Sequence, residues 1–86
     1  MNSGYMGVES WSIVEFYRNL EEVLDLAPGK LSTGQELRRL EAWDSLAVLG
    51  FIAMAHERYS AVIPPKRIPA CRTVDDLAAL IREYAE

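Results

Sequence analysis

Residues 40–59, LEAWDSLAVLGFIAMAHERY, decide the fold of this chain and pose its functional question. The run 46–55 holds no charged residue, and an aspartate and a serine open it. Asp44 supplies a side-chain acceptor for the first free backbone N–H groups, so a helix is expected to start there and run to about Tyr59. Val48, Phe51, Ile52, Ala55 and Tyr59 recur at helical spacing and are read as its core face. The serine directly behind the cap, Ser45, is then a plain helix-start residue, a nucleophile or a tether.

Upstream, Ile13, Phe16, Tyr17, Leu20, Val23 and Leu24 mark one face of a first helix, capped by Ser10 or Ser12. Glu15, Arg18, Asn19, Glu21 and Glu22 fill its other face. In the following APGK, Pro28 blocks continuation and Gly29 permits a turn. Residues 30–43 form a long connection with apolar anchors at Leu31, Leu37, Leu40 and Trp43. A loop of that length in a compact domain must be pinned or functional, and one short turn is expected near residues 33–39. Downstream, Pro64, Pro65 and Pro69 leave room only for a short helical turn. Thr73, with Asp76 three residues on, forms a capping-box pattern for a last helix whose stripe is Leu77, Leu80, Ile81 and Tyr84. No segment alternates as a strand does. The expected fold is all-α: a small antiparallel bundle of three main helices and one short one, with a long loop between the first and second. Residues 1–9 read as a flexible tail and 10–86 as the domain.

Composition bounds the function. The 86 residues are 50% hydrophobic with a net charge of −4, enough for a core and unsuited to a nucleic-acid surface. No apolar run approaches the roughly 18 residues of a membrane span, and the N-terminus lacks signal-peptide regions. Cys71 has no second cysteine to pair with. A cytoplasmic, monomeric domain is expected.

Catalysis by Ser45 lacks a base. The one histidine, His56, lies eleven residues along the same helix, roughly 16 Å away at 1.5 Å per residue. No nucleophile elbow, metal-ligand spacing or phosphate-cradling glycine loop is present. A tether fits better. The free N–H groups and dipole of a helix start favour an anion, and a phosphodiester on Ser45 needs no local base if another enzyme installs it.

The motif WDSL at residues 43–46 resembles the attachment site of acyl carrier proteins. The surroundings extend the likeness over about residues 12–82: an upstream amphipathic helix ending in VLDLAPGKL, a leucine-pinned loop, a helix closing on ERYSAVIPP, and TVDDLAALI in the last helix. The resemblance implies that Ser45 carries 4′-phosphopantetheine, whose thiol holds an intermediate as a thioester. It implies that Asp44 assists recognition by a phosphopantetheinyl transferase and that Leu46 is the apolar contact beside it. No catalytic or metal residue is implied; the chain is a carrier for loading ligases and downstream transferases or synthases. The familiar fatty-acid carriers have a strongly acidic second helix. Here the positions read as outward are Ala47, Gly50, Ala53, Met54, His56 and Glu57, with Glu57 the one acid. Docking is therefore expected to rest on shape and apolar contact, with Gly50 admitting a close partner, and a dedicated pathway such as polyketide assembly is favoured over general fatty-acid synthesis. An aminoacyl or peptidyl carrier and an unmodified helical adaptor are the alternatives. Phe16, Phe51, Tyr59 and Trp43 are expected to fill the core and keep long acyl cargo outside it. Lys66, Arg67 and Arg72, like Arg38 and Arg39, read as a solvated rim, and Cys71 as a small packed hydrophobe.

Overall fold

The computed structural model describes residues 12–85; the expected tail, with Tyr5, Ser10 and Trp11, lies outside them. Three α-helices, α1 (Ile13–Leu24), α2 (Ser45–Tyr59) and α3 (Val74–Tyr84), are joined by 3-10 turns at Leu37–Arg39 and Pro65–Ala70. Among the described residues the only β-pairing is an isolated bridge between Glu36 and Thr73.

Each helix starts where its sequence offers an acceptor. Ser12 caps α1 by accepting from the Glu15 N–H at 3.2 Å. Asp44 caps α2 by accepting from the Ala47 N–H at 2.9 Å. At α3 the Thr73 hydroxyl accepts from the Asp76 N–H, and the Asp76 carboxylate accepts from the Thr73 N–H, both at 3.1 Å. α1 ends earlier than Pro28 requires. Asp25 turns left-handed with φ of 59° and donates to the Glu21 and Glu22 carbonyls, which closes the helix at Leu24.

The Asp76 carboxylate also accepts from the Arg72 N–H at 2.9 Å. Those two backbone donors, Arg72 first, hold its pKa below the usual carboxylate value. A lowered folded-state pKa contributes stability above the unfolded value, about pH 4, that is lost as pH falls through the folded value. Asp76→Asn is expected to cost about 1 kcal/mol at neutral pH, the ordinary worth of a cap. Urea unfolding of both proteins should show that gap closing below about pH 4. A gap that persists at lower pH contradicts the assignment.

The core is built from all three helices. Phe16 and Leu20 of α1, Phe51 and Ala55 of α2, and Leu77 and Ile81 of α3 are fully or almost fully enclosed. Phe51 meets Phe16 edge-on at 6.5 Å and Trp43 at 6.2 Å. The aromatic core is thus interlocked, although Trp43 and Tyr59 are half-buried rather than central.

One charged residue breaks the pattern. Glu21, read as part of the outward face of α1, is 1% exposed. Its Oε2 accepts from the N–H groups of Gly29 and Leu31, each at 3.0 Å, and its Oε1 from Arg18 at 3.3 Å. The chain leaving α1 folds back over that helix, and the buried Leu31 donor requires an acceptor there. Gly29, with φ of 91°, makes the turn that presents both donors.

The long loop is held at its far side by α3. The Leu37 N–H donates to the Arg72 carbonyl and the Val74 N–H to the Gln35 carbonyl, both at 2.9 Å. Asp75 accepts from the Tyr17 hydroxyl at 2.6 Å and from the Gly34 N–H at 2.8 Å, which joins α1, loop and α3. Leu31 and Leu37 are buried beneath it, and Leu40 and Trp43 partly so. The four expected anchors therefore all touch the core.

Candidate functional site

The site is the N-terminal tip of α2. The pinned loop delivers Trp43, half-buried against Phe51, directly before the cap. Asp44 fixes the first turn through the Ala47 N–H, and its own carbonyl accepts from the Val48 N–H at 3.0 Å. Ser45 is the first helical residue and is exposed, as are Asp44 and Leu46. Among the described residues no acceptor meets the N–H groups of Ser45 and Leu46. They are the unsatisfied donors of a helix start, where the dipole favours negative charge. An exposed hydroxyl thus stands beside a positively polarised helix end.

No acid–base machinery accompanies it. His56 is exposed and three turns away on the same helix. Among the described residues no cluster of His, Cys, Asp and Glu is arranged to hold a metal. The Cys71 thiol is half-buried, directed at the Arg67 carbonyl at 3.8 Å, and burial pushes its pKa up. That favours an unreactive thiol.

The outward face of α2 differs from the sequence reading. Ala47 and Met54 are buried, at 7% and 5% exposure, together with Phe51 and Ala55. The exposed stripe is Leu46, Leu49, Ala53, His56 and Glu57. Ala53 and Glu57 stay outward. Leu49, absent from the sequence expectation, is 63% exposed, and Leu46 is 76% exposed. Val48 and Ile52 are only half-buried. α2 is apolar around nearly its whole circumference, so periodicity alone did not set its rotation. Helical spacing puts 47, 51, 54 and 55 on one face and 46, 49 and 53 on the other, but which of the two is buried is decided by packing against α1 and α3 and not by any local signal.

Gly50 is also corrected. It faces α1, and a Cβ built there would lie 2.9 Å from Val23 Cγ1. The glycine admits a neighbouring helix of the same chain. Gly50→Val should overpack this contact and destabilise the fold by about 1–3 kcal/mol. Val23→Ala in the same chain should recover part of the loss. Thermal unfolding of the two single variants and the double variant measures the coupling, and strict additivity would contradict the contact.

The basic residues are not one solvated rim. Arg67 makes paired bonds to the Glu83 carboxylate at 3.0 Å each and donates to the Tyr84 hydroxyl at 2.7 Å. It therefore ties the second 3-10 turn to the end of α3. Arg38 and Arg39 share one carboxylate, that of Glu36, at 3.3 and 3.2 Å, and the Arg38 bond leads in holding its pKa low. Between this loop and the 3-10 turn at Pro65–Ala70 lies a groove of about 580 Å³, with Trp43, Val48 and Ile68 among its walls.

Among the described residues no helix is long and apolar enough to cross a membrane. The model of the phosphopantetheine attachment site family matches residues 14–81. No curated protein and no solved structure matches the chain. Domains of this family are carriers and not catalysts; a phosphopantetheinyl transferase modifies them and other enzymes act on what they carry. The match takes in all of α2 with its exposed tip and most of α1 and α3. The chain belongs to the phosphopantetheine attachment site family and is a non-enzymatic carrier whose cofactor is covalently attached 4′-phosphopantetheine.

Proposed function

We propose that the chain is an acyl carrier, cytoplasmic and monomeric, with its arm attached at Ser45 and serving a specialised biosynthetic pathway. The observation that carries the attachment is the exposed hydroxyl of Ser45 at the first position of α2, inside the matched region. The residues present fit the group. The Ser45 hydroxyl supplies the oxygen of a phosphodiester, and the N–H groups of Ser45 and Leu46 at the helix start favour its negative charge. When bound, the group supplies a terminal thiol on which intermediates are held as thioesters. The chain's own part is to fix the attachment point. Asp44 locks the first turn, Trp43 and Phe51 anchor it from below, and Glu21 and Asp75 hold the loop that leads into it.

A dedicated pathway is supported by the face beside the tip. Leu46, Leu49, Ala53 and His56 are outward there and Glu57 is its one acid. Such a face recognises partners by shape and apolar contact.

Incubation with coenzyme A and a broad-specificity phosphopantetheinyl transferase tests the reading. Intact mass should rise by a single phosphopantetheine on the native chain and stay unchanged on Ser45→Ala. A native chain that gains nothing, or a variant that still gains the group, overturns it.

A further inference from the structure

The groove between the long loop and the second 3-10 turn has a charge of its own. The chain as a whole carries −4, yet cations gather around this opening. Arg38 and Arg72 line it, and Glu36 is its one acidic wall residue. Glu36 is already shared by two arginines, whose side chains are 83% and 71% exposed. Lys66 stands exposed beside Pro65, another wall residue. No carboxylate among the described residues lies within ion-pair distance of Lys66 or Arg72. Asp76 accepts its hydrogen bonds from two backbone donors but still attracts Arg72, so the excess over Glu36 comes from Arg38, Arg39 and Lys66. Arg67 is set apart by Glu83 and Tyr84 and adds nothing to the excess. The floor, by contrast, is apolar: Trp43, Val48 and Ile68.

An apolar cleft of this volume, within the roughly 300–1,000 Å³ of binding pockets, takes an anchoring side chain. Cations around it select the sign of what surrounds that anchor. A nucleic acid calls for a continuous track of cations rather than an apolar floor. We propose that this groove docks an acidic, amphipathic segment of a partner enzyme: one apolar side chain seated on Trp43, Val48 and Ile68, its flanking carboxylates meeting Arg38, Arg72 and Lys66. Charge steering is then located beside the apolar α2 stripe and not on it, with the carrier as the basic partner. The choice of an enzyme as the occupant rests on the carrier reading.

The test is an amide-shift titration of the full chain with short synthetic peptides. One alternates Glu with Leu and Phe; the others replace every Glu by Gln or by Lys. The Glu peptide should move the signals of Arg38, Val48, Ile68 and Arg72. Its affinity should fall about tenfold in the Arg38→Gln/Arg72→Gln double variant and again in about 0.5 M salt. The Gln peptide should bind more weakly and the Lys peptide not at all. Equal binding of the three peptides, no binding, or shifts confined to Leu46 and Leu49 overturn the proposal. Tighter binding to phosphatidylglycerol vesicles than to the Glu peptide overturns it in favour of a membrane. Groove shifts on octanoyl loading without any peptide overturn it in favour of tethered cargo, and concentration-dependent shifts of the chain alone in favour of a second copy. Transfer of the arm to Ser45 should be unchanged in the double variant. The titration needs no arm, so a failed docking and a failed attachment are read separately.

Discussion

Phe51→Ala should remove about 3–5 kcal/mol, the range for emptying a fully buried phenylalanine site. The side chain is 0% exposed and lies at the junction of α1, α2 and the loop, edge-on to both Phe16 and Trp43. A domain of this size holds roughly 4–13 kcal/mol in all, so the variant is expected to lose about a quarter of its stability or more. At about 4–8 °C per kcal/mol the thermal midpoint should drop by roughly 12 °C or more. The damage is also local to the attachment tip, because Trp43 rests on Phe51 two residues before Ser45. Calorimetry of the two proteins measures the effect; a drop of only a few degrees would mean that the aromatic cluster does not organise the core.

Glu21→Leu is the second large effect. Replacing the carboxylate by an apolar side chain leaves the N–H groups of Gly29 and Leu31 without their acceptor. The Leu31 donor is buried and costs about 1–3 kcal/mol when orphaned, whereas the exposed Gly29 donor can turn to water, so the expected loss is about 1–3 kcal/mol. Glu21→Gln keeps an oxygen for those donors and should cost less than half as much. Arg18 is half in solvent and contributes little to either figure. The two variants also separate charge from connectivity. Hydrogen exchange at the Gly29 and Leu31 amides should accelerate in the leucine variant by more than exchange in α3. A uniform acceleration would show that Glu21 supports the whole fold and not this loop.

Much of the architecture is written in local chemistry. Asp44, and Thr73 with Asp76, announce helix starts because a side-chain acceptor at the right offset is a local requirement, satisfied without the rest of the chain. The apolar stripes of α1 and α3 are bounded by charged residues, so their rotation could be read from spacing, although Ile13, at the first position of α1, is exposed. The same spacing failed on α2, where an almost wholly apolar circumference left the buried face undetermined and put Ala47 and Met54 outside. Glu21 and Gly50 were misread for another reason. Both answer to partners distant in sequence, Leu31 and Val23, that appear only once the chain has folded back. The basic groove was hidden likewise: Arg38 and Arg72 lie on separate segments, joined by the bond from the Leu37 N–H to the Arg72 carbonyl. Ser45 itself stood out because its motif and its helix-cap context coincide in four consecutive residues.

The central claim is that one hydroxyl, that of Ser45, bears the arm. Cleavage after Arg39 and Arg58 releases residues 40–58, a peptide in which Ser45 is the sole hydroxyl-bearing side chain. After incubation with transferase and coenzyme A, the mass of that peptide should rise by one phosphopantetheine while every other peptide stays at its unmodified mass. The added mass on any other peptide, with residues 40–58 unchanged, would contradict the account.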